Sequence, residues 1–231
     1  MNRLPVANRL LAMLPLREAQ AVLAQCVEVD LGIGEILYEP GSRMRYVYFP
    51  TASFVVLVIN TDLHSNLEIG LVGNEGMLGT PLVLGVNVSP FRALVRGAGR
   101  AWRMKASTLV RELGQRPGLR RVLNRYVQVC ITQLAQVAAC TRVHVVEQRL
   151  ARLLLMTQDR AHADDFHVTH ESLAFLLGVR RVGVTKAAHA LQERNLISYR
   201  RGDISILDRL GMKGASCSCY QTDQDTYDSV F

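Results

Sequence analysis

The sequence predicts an α+β chain in which three textures follow one another: short strand-like runs cut by turns, an unbroken helical stretch, and a helix–turn–helix–hairpin near the C-terminal end. Three observations carry this reading. Between Glu35 and Met104, six runs rich in β-branched and aromatic residues alternate with Gly, Pro and Asn punctuation. From Leu119 to about Thr141 there is neither glycine nor proline. From Val168 to Asp208 the apolar spacing switches from helical to alternating.

In chain order, Leu4 to Ala24 carries Leu10, Leu11, Leu14, Leu16, Val22 and Leu23 between arginines, which reads as one or two short amphipathic helices interrupted at Pro15. The strand runs are Glu35–Tyr38, Tyr46–Phe49, Ser53–Ile59, Leu67–Val72, Arg92–Val95 and Arg100–Met104. Turns separate them at Gly32, Gly34, Pro40-Gly41, Pro50-Thr51, Asn60-Thr61-Asp62 and Gly73-Asn74. Many short strands at close spacing favour a sandwich or jelly-roll-like β-roll over a parallel sheet.

A short helix at Leu109–Leu113 is expected to break around Pro117-Gly118. The long helix follows, with Leu119, Val122, Tyr126, Val129, Cys130, Gln133, Leu134, Val137 and Cys140 on or near one stripe. Such a seam must be covered, either by the chain's own roll or by a second copy of the helix. A homodimer is preferred, because symmetric dimers are the commonest oligomers and helix-turn-helix proteins usually bind as dimers. The dimer helix is therefore read on Leu119, Val122, Tyr126, Val129, Gln133 and Val137. A further helix, Val145–Asp159, leads into a polar linker from Arg160 to Phe166.

In the C-terminal unit Thr169 is a favoured N-cap for a helix carrying Leu173, Phe175, Leu176 and Leu177. Gly178 stands where that helix must stop. A second helix, Arg180 to about Arg194, puts Val184, Ala187, Ala188 and Leu191 on one face. A hairpin follows, with Tyr199 to Asp203 at its tip and Ile204 and Ile206 alternating with Ser205. This is a winged helix-turn-helix, a unit that reads double-stranded DNA. Charge agrees: Arg180, Arg181, Lys186, Arg194, Arg200 and Arg201 face the single acid Glu193 between Gly178 and Arg201.

Composition sets the outer bounds. The 231 residues are 49% hydrophobic with a net charge of +7, enough for two modest domains and suited to a polyanionic partner. No apolar run approaches the ~20 residues of a membrane span. The N-terminal residues have no small-residue cleavage site, and the five cysteines make no even framework, so a cytoplasmic chain with reduced thiols is expected. No catalytic constellation is visible, and an enzyme is not expected. The divisions expected are 1–117, N-terminal helices and roll; 118–143, dimerisation helix; 144–210, winged helix-turn-helix; and 211–231, a solvated, mobile tail bearing Asp223, Asp225 and Asp228.

This order of parts resembles the Crp/Fnr family of bacterial transcription regulators. The resemblance rests on Gly34-Glu-Ile-Leu-Tyr-Glu-Pro-Gly41, similar to the family's first roll turn, on Glu75-Gly-Met-Leu-Gly79 at the place of its phosphate-binding cassette, and on Leu173 to Ile206 at its winged helix. It implies that Arg180, Arg181, Gly183, Thr185 and Lys186 lie on the recognition helix and that Arg200 and Arg201 form a phosphate-holding wing. Val182 stands where well-known members carry an acidic residue that reads cytosine, so a different operator is expected. The family's usual contact with RNA polymerase, made through the roll, is a further implied partnership.

The effector side departs from the family pattern. The candidate pocket is Glu75, Gly76, Met77, Leu78, Gly79 and Arg92. Met77 follows Gly76 where cyclic-AMP-binding members carry a ribose-binding carboxylate, and Ser89-Pro-Phe-Arg92-Ala93 lacks their Arg-Ser or Arg-Thr pair. Cyclic AMP is therefore not expected. Another anionic ligand, such as a cyclic dinucleotide held by Arg92 and Arg96, is the alternative, and so is a roll without a ligand. No cofactor and no metal are expected. Cys26 is alone, Cys130 and Cys140 read as packing residues, and Cys217-Ser-Cys219 lacks a second pair of ligands. His64 in a hairpin turn, and His162, His167 and His170 near the linker, read as polar connections.

Overall fold

A computed structural model describes residues 7–60 and 66–230. The sequence readings at Leu4, Thr61, Asp62 and His64 lie outside the described residues. The chain divides into two compact units whose boundary falls inside the long helix, between Ile131 and Thr132.

The first unit begins with α1 (Arg9–Ala12) and α2 (Leu16–Leu23), with Pro15 as the N-cap of α2. Asn8 anchors α1. Its Oδ1 accepts from the Leu11 N–H at 3.2 Å, and its Nδ2 donates to the Pro50 and Gly76 carbonyls, both at 2.9 Å. The strands are β1 (Val27–Leu31), β2 (Ile36–Tyr38), β3 (Tyr46–Pro50), β4 (Phe54–Asn60), β5 (Asn66–Val72), β6 (Arg92–Gly97) and β7 (Gly99–Lys105). They form sheets of order β1-β7-β3 and β2-β6-β4-β5. Val47, Phe49 and Met104 from the first sheet, and Val55, Val56, Ala93 and Val95 from the second, are all buried and fill the roll.

The strand β1 was not expected from composition. It is an edge strand with two carboxylates, and its place comes from pairing along β7, from Val27↔Arg103 to Leu31↔Gly99. Where β4 shifts register between Phe54 and Val55, Phe54 pairs with Gly97. A Cβ at Gly97 would meet the Phe54 ring at 2.2 Å, so only glycine fits there.

Two helices leave the roll, α3 (Ala106–Gln115) and α4 (Pro117–Val143). The break expected around Pro117-Gly118 falls at Arg116, which is extended, and Pro117 opens α4, because proline at the first helical position gives up only an N–H that had no partner. Glu18 of α2 completes that end, accepting from the Leu119 N–H at 2.9 Å.

The second unit contains α5 (Val146–Ala161), β8 (Asp165–His167), α6 (His170–Leu177), α7 (Arg181–Glu193), β9 (Ile197–Arg200), β10 (Asp203–Ile206), α8 (Arg209–Ala215) and α9 (Cys219–Val230). Leu150, Leu154, Leu173, Leu177, Val184, Leu191, Ile197 and Ile206 make its core. Two expectations are corrected. The linker ends in β8, which pairs with β10, so the hairpin is part of a three-stranded sheet of order β8-β10-β9. The tail is not a solvated strip: it folds into α8 and α9, and Met212, Ala215 and Tyr220 enter the same core. Asp223 is buried against Arg152 rather than solvated.

Candidate nucleic-acid interface and ligand sites

The helix pair is built as its capping residues dictate. Thr169 Oγ1 accepts from the Ser172 N–H at 3.1 Å, and Gly178 takes φ 62°, the left-handed value that ends α6 and turns the chain toward α7. Val184, Ala187, Ala188 and Leu191 are buried, which leaves Arg181, Val182, Thr185, Lys186 and His189 on the open face of α7. Arg180 is the N-cap, with no side-chain cap and no acid in the first turn, so the positive end of the helix dipole is left to solvent beside two guanidinium groups. Leu173 and Leu177 pack inward as expected, but Phe175 is 41% exposed.

Thr185 plays a more internal part than expected. Its hydroxyl donates to the Arg181 carbonyl at 3.1 Å and lies 3.1 Å from His170 Nδ1, so its one proton is already used. His170, read from the sequence as part of a polar connection, opens α6 and stacks on Tyr199 with ring centroids 4.2 Å apart and 8° between planes. It thereby braces α6, α7 and β9 together. Burial, then the nearby Arg181 charge, holds its imidazole below the ordinary histidine value. Gly183 has only Val179 Cγ2, at 4.0 Å, near the position of a Cβ. Its own packing does not require glycine, and the helix surface there is open to close approach.

The wing tip is a two-residue turn between paired Arg200 and Asp203. Arg201 has φ 53° and Gly202 φ 96°, the double left-handed conformation that matches the twist of a tight hairpin. A Cβ at Gly202 would come within 2.6 Å of the His167 ring, which itself pairs with Asp203 at 2.8 Å. Arg200 and Arg201 both point to solvent.

In the roll, the candidate effector residues are already occupied. Glu75 is buried and accepts from the Gly73 N–H at 3.1 Å. Met77 and Leu78 are buried, and a Cβ on Gly76 would strike the Tyr126 hydroxyl at 2.1 Å. The cavity bounded by Tyr38, Met44, Leu57, Met77, Leu78 and Phe91 measures ≈ 20 Å³. That is room for about one water, against the several hundred Å³ of an ordinary ligand pocket. Arg92 is engaged by Glu39 at 2.9 Å.

The long helix requires a correction. Leu119, Val122, Tyr126 and Val129 are buried within the single chain and are not free to meet a partner. Gln133 and Val137 are half-buried. The apolar residues that α4 leaves open lie on another stripe, with Ile131 55% and Leu134 45% exposed. The reading of Cys217 and Cys219 as lacking a second pair also fails: Cys140 and His144 bring their ligand atoms to the same place, all four lying within 4.8 Å of one another. The signal was present as an i, i+4 Cys-His pair at the end of a helix, but 77 positions separate Cys140 from Cys217.

Comparison with known proteins agrees with this architecture. Residues 148–214 match the family of Crp-like helix-turn-helix domains. No curated protein matches the chain. Among solved structures, FixK2 from Bradyrhizobium japonicum is similar at 15% identity and TM-score 0.70, over 83% of this chain and 98% of its own. The c-di-GMP-responsive global regulator CLP of Xanthomonas campestris is similar at 16% identity and TM-score 0.68, over 84% of this chain and 100% of its own. TTHA1359, a Crp/Fnr-family transcriptional regulator from Thermus thermophilus, is similar at 20% identity and TM-score 0.64, over 82% of this chain and 98% of its own. The chain thus carries a Crp-like helix-turn-helix domain within the fold of the Crp/Fnr transcription regulators.

Proposed function

We propose that this protein is a sequence-specific DNA-binding transcription regulator that acts as a homodimer on an inverted repeat and does not depend on cyclic AMP. The observation that carries the reading is the open face of α7, where Arg180 and Arg181 flank a helix N-terminus without a side-chain cap and Lys186 is exposed further along, together with the exposed wing arginines of the same unit. Two copies would set their recognition helices about 34 Å apart, one turn of duplex. Val182, 64% exposed, offers methyl groups where a carboxylate would read cytosine, which suits the methyl of thymine at that position. The ≈ 20 Å³ cavity beside the buried Met77 and Leu78 supports independence from cyclic AMP, since a nucleotide entering there would have to displace both side chains.

Selection from a random DNA pool with purified, ligand-free protein tests the reading. Recovery of an inverted repeat is the expected result. No enrichment without ligand, followed by enrichment with cyclic AMP, would overturn the independence. Enrichment only with a cyclic dinucleotide would favour the sensor alternative, in line with what is said of CLP.

Two substitutions refine the assignment. Arg181→Ala is expected to cost about 1–3 kcal/mol of operator binding and to relax the preference at one base pair. Unchanged preference would remove Arg181 from base reading. Arg201→Asn has two expected effects of opposite sign. Asparagine tolerates the left-handed turn better than arginine, so the domain should gain a few tenths of a kcal/mol to about 1 kcal/mol in thermal unfolding. Loss of the cation should weaken binding to all sequences alike and reduce the salt slope by about one. A loss confined to the operator would move Arg201 off the phosphates.

A further inference from the structure

We propose that Cys140, His144, Cys217 and Cys219 form a structural site for one tetrahedral divalent metal, zinc by its chemistry, which fastens the turn between α8 and α9 to the C-terminal end of α4. All four residues belong to the second unit. Cys140 and His144 share one helical face, with the His144 N–H still bonded to the Cys140 carbonyl at 3.0 Å. Cys217 precedes α9 and Cys219 is its first residue, so the two thiols of the Cys-x-Cys turn face the helix pair from the opposite side.

The distances fit one ion. Cys140 Sγ lies 3.6 Å from Cys217 Sγ, and Cys219 Sγ lies 3.5 Å from His144 Nδ1. A tetrahedron with metal–sulfur bonds of about 2.3 Å has edges of about 3.7 Å. An iron–sulfur cluster spreads its cysteine ligands more widely than the 4.8 Å that contains all four atoms here.

The surroundings point the same way. Cys140, Cys217 and Cys219 are 2–4% exposed and make a buried cluster of their own, separate from the aliphatic core of the unit. Packing alone gives no reason to gather three thiols and an imidazole in that way. Outer partners are in place to orient and balance thiolates: Gln136 Nε2 donates to Cys219 Sγ at 2.9 Å, and the buried Arg152 guanidinium stands beside Cys140. Three thiolates and a neutral histidine around a divalent ion leave one negative charge close to Arg152, whose own charge is paired with Asp223.

The test uses the full-length chain, reduced and handled anaerobically, titrated with Co²⁺ and then Zn²⁺. The expected result is one equivalent of cobalt with the intense visible bands of a tetrahedral ion and thiolate charge transfer in the near ultraviolet, both erased by one equivalent of zinc. Cys140→Ser and the pair Cys217→Ser/Cys219→Ser should lose stoichiometric binding. His144→Cys keeps four ligands and should raise the charge-transfer intensity by one thiolate's share, a change that a merely misfolded variant would not give. Failure of the reduced wild type to bind metal overturns the site. So does an octahedral cobalt spectrum, or binding that survives in the Cys217→Ser/Cys219→Ser pair.

Discussion

Asp223→Ala is expected to destabilise the helix-turn-helix unit by about 3–5 kcal/mol, a large part of the stability of a domain this size. Arg152 of α5 and Asp223 of α9 are 6% and 5% exposed, and the guanidinium Nε and Nη2 reach one carboxylate oxygen at 3.0 and 2.5 Å. Removing the carboxylate leaves an uncompensated cation in the interior, and this desolvated charge, rather than the lost attraction, makes up most of the expected cost. The double replacement Arg152→Met/Asp223→Leu removes both charges and should recover most of the loss, because an apolar pair needs no compensation. Urea unfolding followed by helical circular dichroism, with the two single variants and the double variant, measures the cycle. A single-variant effect below about 1 kcal/mol would show that water reaches Arg152 and that α9 is not docked as described.

That pair also shows where the sequence could and could not be read. Strand runs, the unbroken α4, the Thr169 cap, the Gly178 stop and the hairpin at Gly202 all follow from local chemistry, and local chemistry is written in consecutive residues. Arg152 and Asp223 are 71 positions apart, and an aspartate in a polar helix looks solvated until its partner is known. The same reason hid β8, whose three residues become a strand only by pairing with β10. It hid the cysteine and histidine cluster as well, since half of the ligand set comes from each end of the unit. In the roll, Met77 and Arg92 carry the expectation of a departure from cyclic-nucleotide binding. The narrowness of the cavity beside Met77, Leu78 and Phe91 depends on how these side chains pack, which no spacing records.

The faces of α4 raise the same difficulty in its sharpest form. The helix has two apolar stripes: Leu119, Val122, Leu123, Tyr126 and Val129 on one, Val127, Ile131, Leu134 and Ala138 on the other. Periodicity cannot say which is covered by the chain itself. Burial selects the first, and the second keeps the 4-3-4 spacing of a coiled-coil seam with Ile131 and Leu134 open to solvent. Ile131→Asp/Leu134→Asp is therefore expected to give a folded monomer. Like charges would face each other across the two-fold axis of the proposed homodimer, and each recognition helix would have to find its half-site alone. With the linkage between half-sites lost, affinity for the inverted repeat should fall by roughly 10²–10⁴-fold, while affinity for an isolated half-site stays near that of the parent. Sedimentation equilibrium and titration of both DNAs separate the two effects. Leu123→Asp, by contrast, buries a charge in the first unit and should unfold it without revealing a stable monomer. A dimer that persists in the Ile131→Asp/Leu134→Asp chain would place the two-fold contact elsewhere, and the pairing of recognition helices across one turn of DNA would lose its structural basis.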